Sequence, residues 1–326
     1  MRIFSGIQPT GAKHFGNYSG GFRQYAATQD LGEAFFCIVD LHSITTPQDP
    51  EELREATLDR AAMLLATGVD PARSTIFVQS HVPAHTQGAW IASCVATYGE
   101  LRRMTQFKEK GKGQESVSAG LFTYPALMAA DILLYHTDKV PIGDDQRQHL
   151  ELTRNVAERF NSRYGETFKL PEAIYPEAGA RVMDLQEPDR KMSTTGGTPQ
   201  GTLALLDPPD TVRRKLRSAV TDSGSQVRRG EEKPGITNLI DIMSVATGAT
   251  PEEIEAHYGG TGYGKFKEDV AEAVVALLDP IRLRYGELRG NPAELKAILA
   301  DGAAKADSIA SETLRTAYDH VGFVAP

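Results

Sequence analysis

At 326 residues the chain is long enough to bury a core without disulfide or metal staples, and its apolar (40%) and charged (24%) fractions exclude disordered and fibrous classes. A net charge of −8 excludes a globally basic nucleic-acid binder, so any such contact needs a local basic patch. Cys37, inside an apolar run, and Cys94 have no His or Cys at metal-ligand spacing, which predicts small core residues in a reducing cytoplasm. No apolar run reaches membrane-spanning length, and the opening Met1-Arg2-Ile3-Phe4 predicts no signal peptide.

Residues 3–7 read as a short strand, 21–28 as a helix, 35–40 as a second strand, 50–67 as a helix and 75–79 as a third strand. Helices at 84–107, 124–134 and 145–164 follow, with a strand at 139–142 and a last one at 181–185. Strand and helix in alternation predict an α/β fold around a doubly wound parallel sheet over residues 1–185. Ligands bind such sheets at the carboxyl ends of the strands. Here those ends carry Gln8, Asp40 with His42, Gln79, and Gly143 to Gln146. From Glu187 to Gln200 the chain is polar and holds Pro188, Gly196, Gly197 and Pro199, the composition of a mobile boundary loop. Beyond it strand patterns stop, and 211–220, 236–247, 264–284 and 292–318 read as helices. Residues 186–302 are therefore expected to form a second, all-helical domain that includes the loop, with the C-terminal helix, about 303–326, free to pack back on the first.

Four segments carry chemistry. Gly6-Ile7-Gln8-Pro9-Thr10-Gly11-Ala12-Lys13-His14-Phe15-Gly16-Asn17 follows a strand and opens a helix. Its glycines permit a tight turn and close approach to a ligand, and a helix start offers free N–H groups to phosphate. His14 and Asn17, three apart, can face one ligand, although a tight turn capped by Asn17 accounts for the same residues. Lys191-Met192-Ser193-Thr194-Thr195 places a lysine and hydroxyls on the glycine-bearing loop, where they can close over a triphosphate or stay solvated. Tyr124, Met128 and Asp131 project from one helix face, an arrangement that suits core packing or a flat aromatic ligand with one N–H donor. Gly143-Asp144-Asp145-Gln146 joins a strand to a helix, and acids in a first turn are favourable there for the helix dipole alone.

The first two segments together resemble the His-x-Gly-His and Lys-Met-Ser-Lys-Ser motifs of class I aminoacyl-tRNA synthetases. Gly6 to Gly11, Tyr98-Gly99-Glu100-Leu101, Met104 to Lys110, Tyr124 to Leu133 and Ser218-Ala219-Val220-Thr221-Asp222 extend the resemblance, over nearly the whole chain, to bacterial tryptophanyl-tRNA synthetases. The resemblance implies a Rossmann-like first domain, a homodimer, and a reaction in which ATP with Mg²⁺ activates L-tryptophan before transfer to tRNA(Trp). By the same resemblance Asp131 recognises the indole and Phe4, Met128, Val140 and Ile142 line its slot. Tyr124 and Gln146, with Gln8 and His42, hold the amino and carboxylate groups. Gln8, Pro9, Thr10, His14, Gly16 and Asn17 contact ATP, as do Gly143, Asp144 and Asp145 at the ribose and Val182 at the adenine. Lys191, Met192, Ser193, Thr194 and Thr195 close on the phosphates, with Lys110 and Lys108 as further cations. No protein side chain is implied as a metal ligand.

The chain departs from the family pattern at Thr194, where the loop usually has a second lysine, and Lys110 or Arg190 are the expected substitutes. Asn17 in place of the final histidine of the first motif is a common replacement in the family. Arg213-Arg214-Lys215-Leu216-Arg217 and Arg228-Arg229 are the basic clusters expected to meet tRNA phosphates. A tyrosyl-type synthetase and a non-charging paralogue with a binding or regulatory role are the alternatives, the second motivated by the altered loop.

Overall fold

The computed structural model describes residues 1–11, 13–105, 107, 117–175, 181–194 and 196–325, with Asp144 by its backbone alone. Its centre is a sheet of five parallel strands in the order β3-β2-β1-β4-β5, formed by β1 (Arg2–Ile7), β2 (Glu33–Ile38), β3 (Thr75–Val78), β4 (Lys139–Pro141) and β5 (Glu172–Ile174). This is the doubly wound, Rossmann-like α/β arrangement expected from the strand–helix alternation. β2 is apolar along most of its length because a central parallel strand is covered on both faces. Phe36 and Ile38 join one apolar cluster, with Ile76 and Val78, while Phe35 and Cys37 join the opposite one, with Phe4 and Phe77. The first cluster runs on into Leu239, Val270 and Leu278 of the helical part, whereas the second takes in the Ala84–Val95, Ala119–Leu133 and Arg147–Tyr164 helices.

Several expectations need correction. Cys37 is buried as expected, but Cys94 is exposed rather than a core residue. Residues 181–185 do not join the sheet: Met183 forms an isolated antiparallel bridge with Lys191, and Met192 N donates to Val182 O at 3.2 Å. Asp184 turns the chain back on itself, its carboxylate accepting from Gln186 N (2.8 Å) and Glu187 N (3.1 Å). The fifth strand is instead Glu172–Ile174, which takes the open edge of β4. The expected helix 84–107 is broken into Ala84–Val95 and Tyr98–Arg103, because Thr97 and Glu100 form a capping box that starts a new helix. A helix at Pro251–Tyr258, also with a capping box, was not expected, and Tyr263–Gly290 extends past the anticipated end.

The Pro292–Val321 helix lies across β3, which would otherwise be an exposed edge. Gly302 permits this approach: a Cβ there would sit 1.9 Å from the Ile76 carbonyl oxygen. Among the described residues, no helix is long and apolar enough to cross a membrane.

Candidate active site

A cavity of about 910 Å³ opens where the carboxyl ends of β1, β2 and β4 meet the Ala119–Leu133 helix. Phe4, Met128, Val140 and Ile142 line it, as do Gln8, His42, Tyr124, Asp131, Asp145 and Gln146. Every residue expected around the amino acid therefore faces one cavity. Gly143 is not among the lining residues, but with Asp144 it connects Ile142 to Asp145, which are, and a 3-10 turn (Asp144–Gln146) leads from there into the Arg147–Tyr164 helix.

Asp131 is only 1% exposed, yet it is surrounded by donors. His42 Nε2 lies 2.9 Å from Oδ2 and His85 Nδ1 2.5 Å from Oδ1, while Gln79 Nε2 is 2.8 Å from each oxygen. A carboxylate only accepts, so both imidazole nitrogens donate. Burial pushes the Asp131 carboxyl up, but the hydrogen bonds from His42 and His85 outweigh it and hold the group well below the ordinary carboxylate range. His85 also reaches the Tyr135 hydroxyl at 2.8 Å, and burial keeps that phenol protonated. Gln79, His85 and Tyr135 thus form a buried support for Asp131. Gln79 is legible as a polar strand end. His85 and Tyr135 are not, because an isolated histidine or tyrosine among alanines and leucines carries no periodic signal. Tyr124 makes a second such pair, its hydroxyl 2.5 Å from His149 Nε2, and burial pushes its pKa up to about 12.

The first motif lies at the adjoining end of β1. His14 caps the Phe15–Asn17 turn: its Nδ1 accepts from Gly16 N at 3.1 Å, and Asn17 Oδ1 accepts from His14 N at 3.0 Å. Gly16 is needed here, since a Cβ would approach the His14 ring at 3.0 Å. Burial, then the Lys13 and Lys191 ammoniums, lower the His14 pKa to about 4. The imidazole is therefore neutral at pH 7, and with Nδ1 accepting, its proton sits on Nε2. Pro9 is buried, whereas Gln8 and Thr10 are exposed.

The second motif is joined to the first through the backbone. Phe15 N donates to Leu203 O (2.9 Å), Leu205 N donates to Lys13 O (3.0 Å), and Thr202 Oγ1 donates to Ser193 O (3.0 Å). Lys191 and Thr194 are exposed, while Met192 (1%) and Val182 (2%) are buried in the core. The side chains of Val182 and Met192 are thus closed to a ligand. Lys108, Lys110 and Thr195 lie outside the described residues.

The basic clusters are largely engaged within the chain. Lys215 is buried and donates to Thr202 O at 2.7 Å and Asp207 Oδ2 at 2.6 Å. Arg213 pairs with Glu272 (2.8 Å) and Arg229 with Asp241 (2.8 Å). Arg214 and Arg217 keep exposed positions on the Pro209–Arg217 helix.

The family model for class I tRNA synthetases (W and Y) matches residues 1–279. The chain belongs to this family. Among synthetases of known activity, it is 51% identical to the tryptophan–tRNA ligase of Caldanaerobacter subterraneus, over 99% of this chain and 98% of that protein. It is 53% identical to the tryptophan–tRNA ligase of Listeria monocytogenes, over 98% and 97% of the two chains. The tryptophanyl-tRNA synthetase of Campylobacter jejuni, solved with ADP and tryptophan, superposes with a TM-score of 0.86 at 37% identity, covering 99% of this chain and 100% of that one. A synthetase fold is thus common to this chain and its relatives.

Proposed function

We propose that the protein is a tryptophan–tRNA ligase, which activates L-tryptophan with ATP and transfers it to tRNA(Trp). The observation that carries this reading is Asp131, a buried anion in the apolar end of the cavity, beside Met128 and Phe4. Indole donates through its single nitrogen and cannot accept. A carboxylate offers about four acceptor positions, and the Gln79 amide nitrogen spans two of them. Settling of Gln79 onto one oxygen leaves a position for the indole N–H. Phe4, Met128, Val140 and Ile142 sandwich the ring, and Tyr124, Gln146, Gln8 and His42 hold the amino and carboxylate groups.

The tryptophan carboxylate then attacks the α-phosphorus of ATP, and the electron pair of the breaking P–O bond leaves on pyrophosphate. In-line positioning and charge stabilisation carry such a step, so the chain need not supply a nucleophile or base. His14, Gly16, Asn17, Pro9 and Thr10 lie along the ATP phosphates in this reading. Lys191, Ser193, Thr194 and the Met192 backbone close on the pyrophosphate. Gly143 to Asp145 take the ribose, and the Val182 backbone takes the adenine. Thr195 and Lys110 keep their proposed phosphate contacts. Among the described residues, no three His, Cys, Asp or Glu side chains are grouped to hold a metal, so Mg²⁺ would arrive with ATP, held by phosphate oxygens and water.

The proposal extends to a cytoplasmic homodimer with a catalytic domain over 1–185, a loop and helical anticodon-binding domain over 186–302, and a C-terminal helix docked on the former. Trp90 (69% exposed) and Tyr98 (68%) offer apolar surface for a second copy. Arg214 and Arg217, exposed and without an ion pair among the described residues, are the cations of the basic stretch for tRNA phosphate. ATP–pyrophosphate exchange tests the substrate: brisk exchange with tryptophan is expected, and brisk exchange with tyrosine instead would reject the assignment. No exchange with either would leave the paralogue reading.

A further inference from the structure

The loop that follows Met192 carries a neutral, exposed Thr194 where the family motif has a lysine. Arg190 does not replace it: its guanidinium pairs with Glu187 at 3.4 Å and lies against Gly196. A different cation is better placed. Lys13 Nζ donates to Thr10 O at 2.7 Å, and Arg60 Nη2, from the Pro50–Ala66 helix, donates to the same oxygen at 2.9 Å. Arg60 is 5% exposed, its Nε has no hydrogen-bond partner among the described residues, and its guanidinium lies over the Phe22 ring at 5.5 Å. Two cations therefore converge on one neutral carbonyl, and among the described residues neither forms an ion pair. An ammonium has three donors, and one carbonyl occupies only one of those on Lys13.

We propose that Lys13 is a further phosphate-binding cation of this site, supplying the charge that a lysine at position 194 would supply. The inference rests on the synthetase reading above. The Lys13 carbonyl is tied to Leu205, and Leu203 to Phe15, so backbone hydrogen bonds join the first motif to the segment that leaves the second-motif loop. Lys13 is thereby held beside His14, whose imidazole feels both the Lys13 and the Lys191 ammonium. Burial and Arg60 lower the Lys13 pKa to about 8, and an approaching polyphosphate supplies the anion that favours its charged form. As the α-phosphorus accepts the carboxylate, negative charge grows on the departing pyrophosphate. Lys191 meets that charge from the loop and Lys13 from the end of β1. Arg60, fully enclosed, acts through the Thr10 carbonyl and positions the turn.

The test is a double-mutant cycle in tryptophan-dependent ATP–pyrophosphate exchange. Lys13→Gln keeps an N–H donor for the Thr10 carbonyl and removes the charge. It should lower kcat on the order of a hundredfold, the usual loss for one transition-state donor, with KM for tryptophan unchanged. Thr194→Lys should gain more in the Lys13→Gln background, about tenfold or more, than in the wild-type background, so that the two substitutions are coupled. Lys13→Arg, which keeps the charge, should recover most of the kcat that Lys13→Gln loses, and an unchanged thermal midpoint in Lys13→Gln shows that the site still folds. Wild-type rates for Lys13→Gln, or a deficit that Thr194→Lys leaves in place, overturn the proposal. Absence of exchange in the wild type would instead reject the synthetase reading. Calorimetric binding of Mg²⁺–ATP to wild type and Lys13→Gln then decides the phosphate role alone, equal affinities counting against it.

Discussion

The proposed site has two ends built on opposite electrostatic plans. At the proposed amino-acid end, in the cavity, the charge is a buried anion, Asp131, and the chain itself supplies its donors from His42, His85 and Gln79. At the proposed phosphate end, where the two motifs meet, the charges are cations, and the protein leaves Lys13, Arg60 and Lys191 without carboxylate partners among the described residues. A preformed, enclosed acceptor suits the recognition of one N–H on a flat apolar ring, since pairing and shape are settled before the ligand arrives. An uncompensated cluster of cations suits a ligand that brings several negative charges and leaves with them. Specificity thus belongs to the rigid end and charge stabilisation to the open end.

The largest effect expected is at the rigid end. Asp131→Asn exchanges an acceptor oxygen for an N–H₂ donor facing His85 and the ligand. It should lower kcat/KM for tryptophan by about a thousandfold, within the 2–5 kcal/mol typical of a broken buried charged pair. ATP affinity, measured by calorimetry, should change by less than about twofold, and an equal loss of both would erase the division of labour between the two ends. Lys191→Met comes next, with a kcat loss of about a hundredfold and an unchanged thermal midpoint, because the side chain is exposed. A fall in thermal midpoint would mean that the loop cation is structural.

His85→Leu leaves Asp131 and Tyr135 each short of a partner, so stability should fall by about 1–3 kcal/mol in urea unfolding. KM for tryptophan should rise about tenfold while KM for ATP holds, and discrimination against a benzothiophene analogue of tryptophan, which lacks the N–H, should shrink. If discrimination survives, Asp131 is oriented without His85. The smallest effect is a pH dependence of folding at the phosphate end. The His14 pKa falls from 6.5 to about 4 in the folded chain. Between these values the unfolded state binds more protons, so this contribution is present above pH 6.5 and is lost as pH falls towards 4. Urea midpoints from pH 7 to 4 should decline less steeply in His14→Asn, and parallel curves would contradict the assignment.

Much of the fold was legible because hydrophobic periodicity is local. Strands β1 to β4 and the long amphipathic helices declare themselves through their neighbours in sequence. The last strand was misplaced for a non-local reason. Residues 181–185 and Glu172–Ile174 are both short and partly apolar, and only the free edge of β4 and the Asp184 turn decide which of them joins the sheet. The break at Thr97 and the helix after Thr250 were marked by capping boxes that a reading for periodicity passes over. Within the site, Gln8, Tyr124, Met128 and Asp131 were recognisable because they lie in dense motif strings, and Phe4, His42, Val140, Ile142 and Gln146 followed from the family resemblance, whereas His85, Tyr135, His149 and Arg60 act through contacts to residues 25 to 50 positions away.

The sequence by itself determined the α/β class, the two motif segments and, through the resemblance they carry, the residues that line the cavity. Tertiary structure alone decided how those pieces are charged. It surrounded Asp131 with donors from separate elements, drew Arg213, Lys215 and Arg229 into internal pairs, and left Lys13 and Arg60 converging on the Thr10 carbonyl. The ionic state and availability of a side chain depend on burial and on partners distant in sequence, and those exist only once the chain has folded.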